Sequence, residues 1–240
     1  MKNLDIYQKD KPSKVILNGA DKKIFNTNDK KFWNGKGPIR IVTHHWSSNK
    51  MKGFDVYQKL DSLLSTSKWK NKVEFTYIGN LPNGFNFKNT NHLSPMHGRK
   101  LALELSKHDL YISASINEPA GMHHIEGLLC GLPIIYRNSG ALPEYCCDFG
   151  ISFENKDFLP ALVKMIKDYS IFKKKLVRYP HDSEKMTSEY LTLFSKLLKN
   201  RRKIIKKRFL LKSPRYLFLN LVFLILKFRN IVKFVCKKNS

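Results

Sequence analysis

Glu118 and Glu126 stand eight positions apart in the run Asn117-Glu118-Pro119-Ala120-Gly121-Met122-His123-His124-Ile125-Glu126-Gly127, with Gly121 between them. Ionised carboxylates are acceptors only, so two that reach one ligand can grip the hydroxyls of a sugar. The apolar run ending near Ser115 reads as a strand and the residues after Gly121 as a helix. Glu118 then lies in a loop and Glu126 about one and a half turns into the helix, so both can approach one ligand. A glycine at a strand-to-helix junction lets backbone come close, and free amides around Gly121 and Met122 suit a phosphate or a sugar. By residue type alone, two glutamates at this spacing are more often solvated surface charges than a ligand grip.

The flanking segments supply the elements that must hold these residues. Short β-branched runs at Ile39 to Thr43, Val73 to Ile78, Leu110 to Ala114, Leu132 to Tyr136 and Ile151 to Phe153 read as strands. Between them Phe54, Tyr57, Leu60, Leu63 and Leu64, then Leu101, Ala102 and Leu105, then Met122 to Cys130 recur at helical spacing. That alternation predicts an α/β fold, a Rossmann-like parallel sheet with helices on both faces. Two further helices, around 158–169 and 184–198, are predicted to cap it, the second with Tyr190, Leu193, Phe194 and Leu197 on one face. Ligands of such sheets bind beyond the carboxyl ends of the strands, which is where Glu118 and Gly121 fall.

The pattern Glu118-x7-Glu126, followed by Gly131-Leu132-Pro133 and by Ser139-Gly140-Ala141-Leu142-Pro143-Glu144, resembles the donor-binding domain of family 4 glycosyltransferases, retaining enzymes of the GT-B type. The run from Val15 to Phe25, which includes Asn18 and Gly19, is similar to the family's entry into that domain, and Lys52-Gly53-Phe54-Asp55 to its lysine-glycine motif after the first strand. Residues 15–155 carry the resemblance, and 184–198 match the family's closing helix.

The resemblance implies a nucleotide diphosphate sugar as donor. Lys52, beside Gly53, would meet the diphosphate and offset the charge of the leaving group. Glu126 would accept from the ribose, Glu118 would hold the transferred sugar, and the amides around Gly121 and Met122 would meet sugar or phosphate. No metal and no cofactor are implied, and no catalytic nucleophile or base is assigned. Gly79 and Asn80, after Phe75-Thr76-Tyr77-Ile78, are similar to the turn beside the nucleobase, with the usual second glycine replaced. Asn18 and Gly19 are further donor-site candidates. Where the family commonly has an arginine five residues before the lysine, this sequence has Ser47. His44 or His45 could stand in for that cation, although a histidine at a strand end is more often a packing or hydrogen-bonding residue. A GT-B enzyme has two Rossmann-like halves and this sequence opens at the entry to the second, so the resemblance implies either a separate acceptor-domain chain as partner or a fragment that retains the donor contacts with little transfer activity.

The formal charge is +25, and residues 201–240 contribute +13 of it with no acidic residue. A field of that sign attracts phosphate on a nucleotide, an anionic lipid or a nucleic acid. No helix-turn-helix, RNA-recognition or zinc-finger signature is present, which disfavours nucleic acid. The division expected is a donor-binding domain over 1–200 and a basic amphipathic tail over 201–240. In that tail an apolar stretch from Tyr216 to Leu226 follows the cations at 201–208. Eleven residues fall short of the ~20 that cross a bilayer, and the pattern suits equally a helix lying in an anionic membrane interface and one packed on the protein's own sheet or on an acceptor domain. Four cysteines without a CxxC pair, and no signal-peptide core, point to the cytosol, where the basic tail would allow peripheral association with the inner membrane face.

Overall fold

The computed structural model describes residues 13–207 together with Phe218, residues 221–223 and Ile225. The chain divides into two units, Ile16–Ser188 and a second made of Met1–Val15 with Glu189–Ser240.

The first unit is built on six parallel strands: β1 (Ile39–His45), β2 (Val73–Gly79), β3 (Asn91–Leu93), β4 (Leu110–Ser113), β5 (Ile134–Arg137) and β6 (Gly150–Phe153). They lie in the order β3-β2-β1-β4-β5-β6, so the strand order reverses between β1 and β4. A crevice at that reversal is where open α/β sheets bind ligands. The helices are α1 (Phe54–Leu64), α2 (Gly98–Ser106), α3 (His123–Leu129), α4 (Leu142–Cys146), α5 (Leu159–Leu176) and α6 (Ser183–Lys199). The expected Rossmann-like α/β fold is the one observed. The strand β3 and the short α4 have no counterpart in the sequence reading; three and five residues are too few to set a period.

Both faces of the sheet are apolar. Ile39 and Ile41 join Tyr57 and Leu60 of α1 and Met165 and Tyr169 of α5 in one core, while Val42 joins Leu105, Tyr111, Ile125 and Leu128 in the other. Burial on both faces is why the strands read as continuous apolar runs. The loop after β2 is tied down by Asp61 of α1, whose carboxylate accepts from the backbone amides of Lys88, Asn89 and Thr90 and from Thr90 Oγ1 at 2.7–3.2 Å. Asp55 at the start of α1 accepts from Arg137 at the end of β5, at 2.9 and 3.1 Å.

Of the two helices expected to cap the sheet, α5 buries Ala161, Leu162 and Met165, whereas α6 buries no residue, and Tyr190 and Phe194 are exposed. In the second unit Lys14 pairs with Glu189 at 3.4 Å, and α7 (Arg201–Lys207) is helical. Phe218, Leu221, Phe223 and Ile225 are helical with exposed side chains. The remainder of the 201–240 tail, including Tyr216, Leu217, Leu219 and Leu226, lies outside the described residues. Among the described residues no helix is long and apolar enough to cross a membrane.

Candidate functional site

The strand β1 runs two residues further than its apolar stretch, to His45, and pairs throughout with β2, ending at His45 opposite Gly79. Successive side chains of a strand face opposite ways. His44 accordingly reaches the α3 side, where its Nε2 lies 2.8 Å from Glu126 Oε2, and His45 the α1 side, where its Nε2 lies 2.8 Å from the Tyr57 hydroxyl. His45 is fully buried, and burial, with His44, Lys52 and His124 adding like charge, holds its pKa well below the usual value. It is a neutral hydrogen-bonding group at neutral pH. Gly79, with φ of +145°, permits this end of the sheet, because a β-carbon there would collide with the carbonyl of His45. Asn80 follows it, donating to the Trp46 carbonyl at 2.6 Å and accepting from the Tyr77 hydroxyl at 3.1 Å, so Gly79 and Asn80 fix the rim that carries Trp46.

After β1 a single 3-10 turn, Lys50–Lys52, is capped by the Asn49 side chain accepting from the Met51 amide, and Gly53 closes it in the left-handed region at φ +92°. A β-carbon on Gly53 would strike the backbone of Ala114, so the glycine lets the start of α1 lie against the exit of β4. This approach carries Lys52 to Glu118, Nζ to Oε2 at 2.6 Å, with the glutamate side chain 8% exposed. Gly121 sits beneath the pair: a β-carbon would lie 2.8 Å from Glu118 Cδ and from the His123 ring.

No side chain caps α3, and Met122 at its N-cap is partly exposed. His123 is held by Ser113 Oγ at 2.8 Å and packs 4.7 Å from the His45 ring, joining the Lys52–Glu118 pair to the histidines of β1. Burial, then the neighbouring histidines, depress its pKa well below the usual value. Burial similarly pushes His124 down to about 3, and its ring packs against Tyr145. A cleft of about 160 Å³ opens beside this cluster, walled by His44, Trp46, Ile78, the loop from Pro95 to Gly98 and Glu126.

The structure therefore brings Lys52, Gly53, Glu118, Gly121, Met122 and Glu126 together around the carboxyl ends of β1 and β4. Asn18 braces them: its amide donates to the Tyr145 hydroxyl at 3.0 Å and its side chain to the Ala120 carbonyl at 3.1 Å. Gly19 stands elsewhere, packed so closely on the Asp182 carbonyl that a β-carbon would not fit. Among the described residues no three His, Cys, Asp or Glu side chains gather as metal ligands.

Solved structures that share this fold include two glycosyltransferase-fold neighbours. One is sucrose-phosphate synthase from Thermosynechococcus elongatus, with a TM-score of 0.56 and 16% identity over 80% of this chain and 54% of that one. The other is TarM, with a TM-score of 0.56 and 17% identity over 75% of this chain and 38% of that one. The chain thus spans about half of the first and less of the second. No family model and no curated protein matches the sequence.

Three parts of the site escaped the sequence reading. The bond between His44 and Glu126 joins residues 82 apart, and only the length of β1 would have disclosed it. The loop from Pro95 to Gly98 carries one legible sign, Gly98 in the left-handed region at φ +57° just as α2 begins. Tyr57 and Tyr111 look like core aromatics by their spacing, and their buried hydroxyls serve His45 and His44 instead.

Proposed function

We propose that this chain is the donor-binding half of a family 4, retaining glycosyltransferase that takes a sugar from a nucleotide diphosphate sugar. The observation that carries the reading is that each glutamate has its own partner near the carboxyl end of β1: Glu118 is gripped by Lys52 at 2.6 Å, while Glu126 stands on the cleft wall 2.8 Å from His44. In this reading the nucleoside enters the cleft, with its base toward Gly79, Asn80 and the loop from Pro95 to Gly98, and its ribose hydroxyls donate to Glu126. Lys52 turns from Glu118 toward the diphosphate, whose leaving charge it offsets, and Glu118 is freed to accept from the sugar. Amides around Gly121 and Met122 complete the diphosphate contacts. The fold likeness to a sucrose-phosphate synthase supports the assignment. No cofactor or metal enters it.

The acceptor of this reading is a lipid-linked or envelope glycan at a cytosolic membrane face, supported by the cations of α7 and the exposed apolar groups at Phe218, Leu221, Phe223 and Ile225. A second reading is a donor-binding half that works with an acceptor domain on a separate chain. Catalysis between two halves needs both to exclude water.

Calorimetric titration of UDP, GDP, ADP and their sugars into the full chain, at raised salt to screen adventitious attraction, tests the donor site. The expected result is binding of one nucleotide that Lys52→Ala and Glu126→Ala each weaken about tenfold or more, a loss of ~1.4 kcal/mol. Unchanged binding in both variants overturns the assignment.

A further inference from the structure

His44 is bonded at both ring nitrogens, and the order of those bonds is set by its neighbours. The Tyr111 hydroxyl accepts from the His44 backbone amide at 3.0 Å and lies 3.0 Å from His44 Nδ1. Burial raises the pKa of that phenol well above its usual value, so it keeps its proton. On the other side Glu126, a carboxylate, can only accept. His44 Nε2 therefore carries the hydrogen that bridges the 2.8 Å to Glu126 Oε2, and the Tyr111 hydroxyl, which also lies 3.4 Å from the His44 carbonyl, donates to Nδ1 at the shorter 3.0 Å. The chain of bonds runs from a fully buried strand residue, through a histidine whose side chain is 10% exposed, to a glutamate on the cleft wall. It occupies Oε2, and Oε1 takes no hydrogen bond from the described residues.

We infer that His44 is a positioning residue: with Tyr111 behind it, it pins one oxygen of Glu126 so that the other is presented to the vicinal hydroxyls of a ribonucleoside, which makes the cleft selective for ribose over its deoxy forms. The inference rests on the donor reading of the cleft. Its physical content is pre-organisation. A free glutamate side chain has three rotatable bonds and loses them on binding; one already held by a ring fixed at both ends has lost them in advance. A lysine at position 44 could neutralise Glu126 but would bring no fixed direction. The imidazole, locked between β1, β4 and α3, gives a single N–H along one line.

The experiment measures binding of UDP, GDP and ADP, and of their 2′,3′-dideoxy counterparts, to the full chain and to His44→Ala, His44→Gln and Tyr111→Phe. The wild type is expected to prefer the ribose form at least tenfold. His44→Ala is expected to reduce that preference below threefold while leaving affinity for the dideoxy form within twofold. His44→Gln, whose amide can donate where Nε2 does, retains most of the preference, and Tyr111→Phe falls between. These last two carry the test should His44→Ala melt too low to measure. A ribose preference undiminished in His44→Ala or, failing that variant, in Tyr111→Phe, or an equal loss of ribose and dideoxy binding, overturns the positioning role alone. A folded wild type that binds none of the six ligands overturns the donor reading and the inference together.

Discussion

At Lys52 and Glu118 a single contact serves two states. Without ligand the ammonium neutralises a carboxylate that is nearly out of water; with a diphosphate bound in the proposed site it has a second claimant. Lys52→Ala should therefore cost stability as well as affinity. Leaving Glu118 unpaired costs about 1–3 kcal/mol, and urea denaturation should show most of it restored in the double variant Lys52→Ala/Glu118→Gln, whose neutral amide no longer needs a cation. A Lys52→Ala variant as stable as wild type would mean that water already satisfies Glu118. On the ligand side, Lys52→Ala should weaken nucleoside diphosphates about tenfold and monophosphates markedly less, as calorimetry would show; equal weakening would place the lysine elsewhere than at the diphosphate.

The helices and strands that bring these residues together were largely legible, for a reason visible in β1: a strand buried on both faces must be apolar throughout, and Ile39 to Thr43 announces it. What the same rule hides is the continuation. His44 and His45 extend the strand because Gly79 lets β2 follow to the end and because Tyr111 and Tyr57 satisfy them, and neither partner is near in sequence. Gly79→Ala should expose this dependence, costing about 1–3 kcal/mol for a strained backbone and disturbing the His45 region, measurable as a lowered melting temperature with loss of any nucleotide binding. A fully tolerated alanine would show that β2 can part from β1 without consequence. The loop after β2 depends on Asp61 in the same way. Burial works against that carboxylate, but the bonds from Thr90, Asn89 and Lys88 outweigh it and hold its pKa below the usual range. Asp61→Asn should loosen residues 85–90, seen as faster amide exchange there, at a cost of about 1–3 kcal/mol.

Taken whole, the first unit carries several histidines buried in neutral form, and that sets how it responds to acid. Burial holds His108 at about 4 and His124 at about 3, with His45 and His123 also well below normal. The unfolded chain protonates these groups near pH 6.5, before the folded one does, so it binds more protons and stability falls as pH drops from about 6.5 toward 4. Each unit below 6.5 costs about 1.4 kcal/mol per such group. Chemical denaturation at pH 7 and pH 5 should show a loss of several kcal/mol that His108→Gln reduces; a flat profile would mean that these rings charge in place. For the second unit, the cations of α7 should bind the full chain to phosphatidylglycerol vesicles and not to phosphatidylcholine, reversibly with salt, and Phe218→Ser with Phe223→Ser should weaken that binding. Equal sedimentation with both lipids would remove the electrostatic component. Two adjacent histidines on one strand, each claimed by a different layer of the molecule, have a last consequence. Deleting one residue from Ile39 to Thr43 would move His45 to the place of His44 and hand the other layer Trp46, breaking both sets of bonds in one step. Substitution can retune each side of this strand separately, whereas insertion or deletion alters both together, so the segment's length is constrained more tightly than its composition.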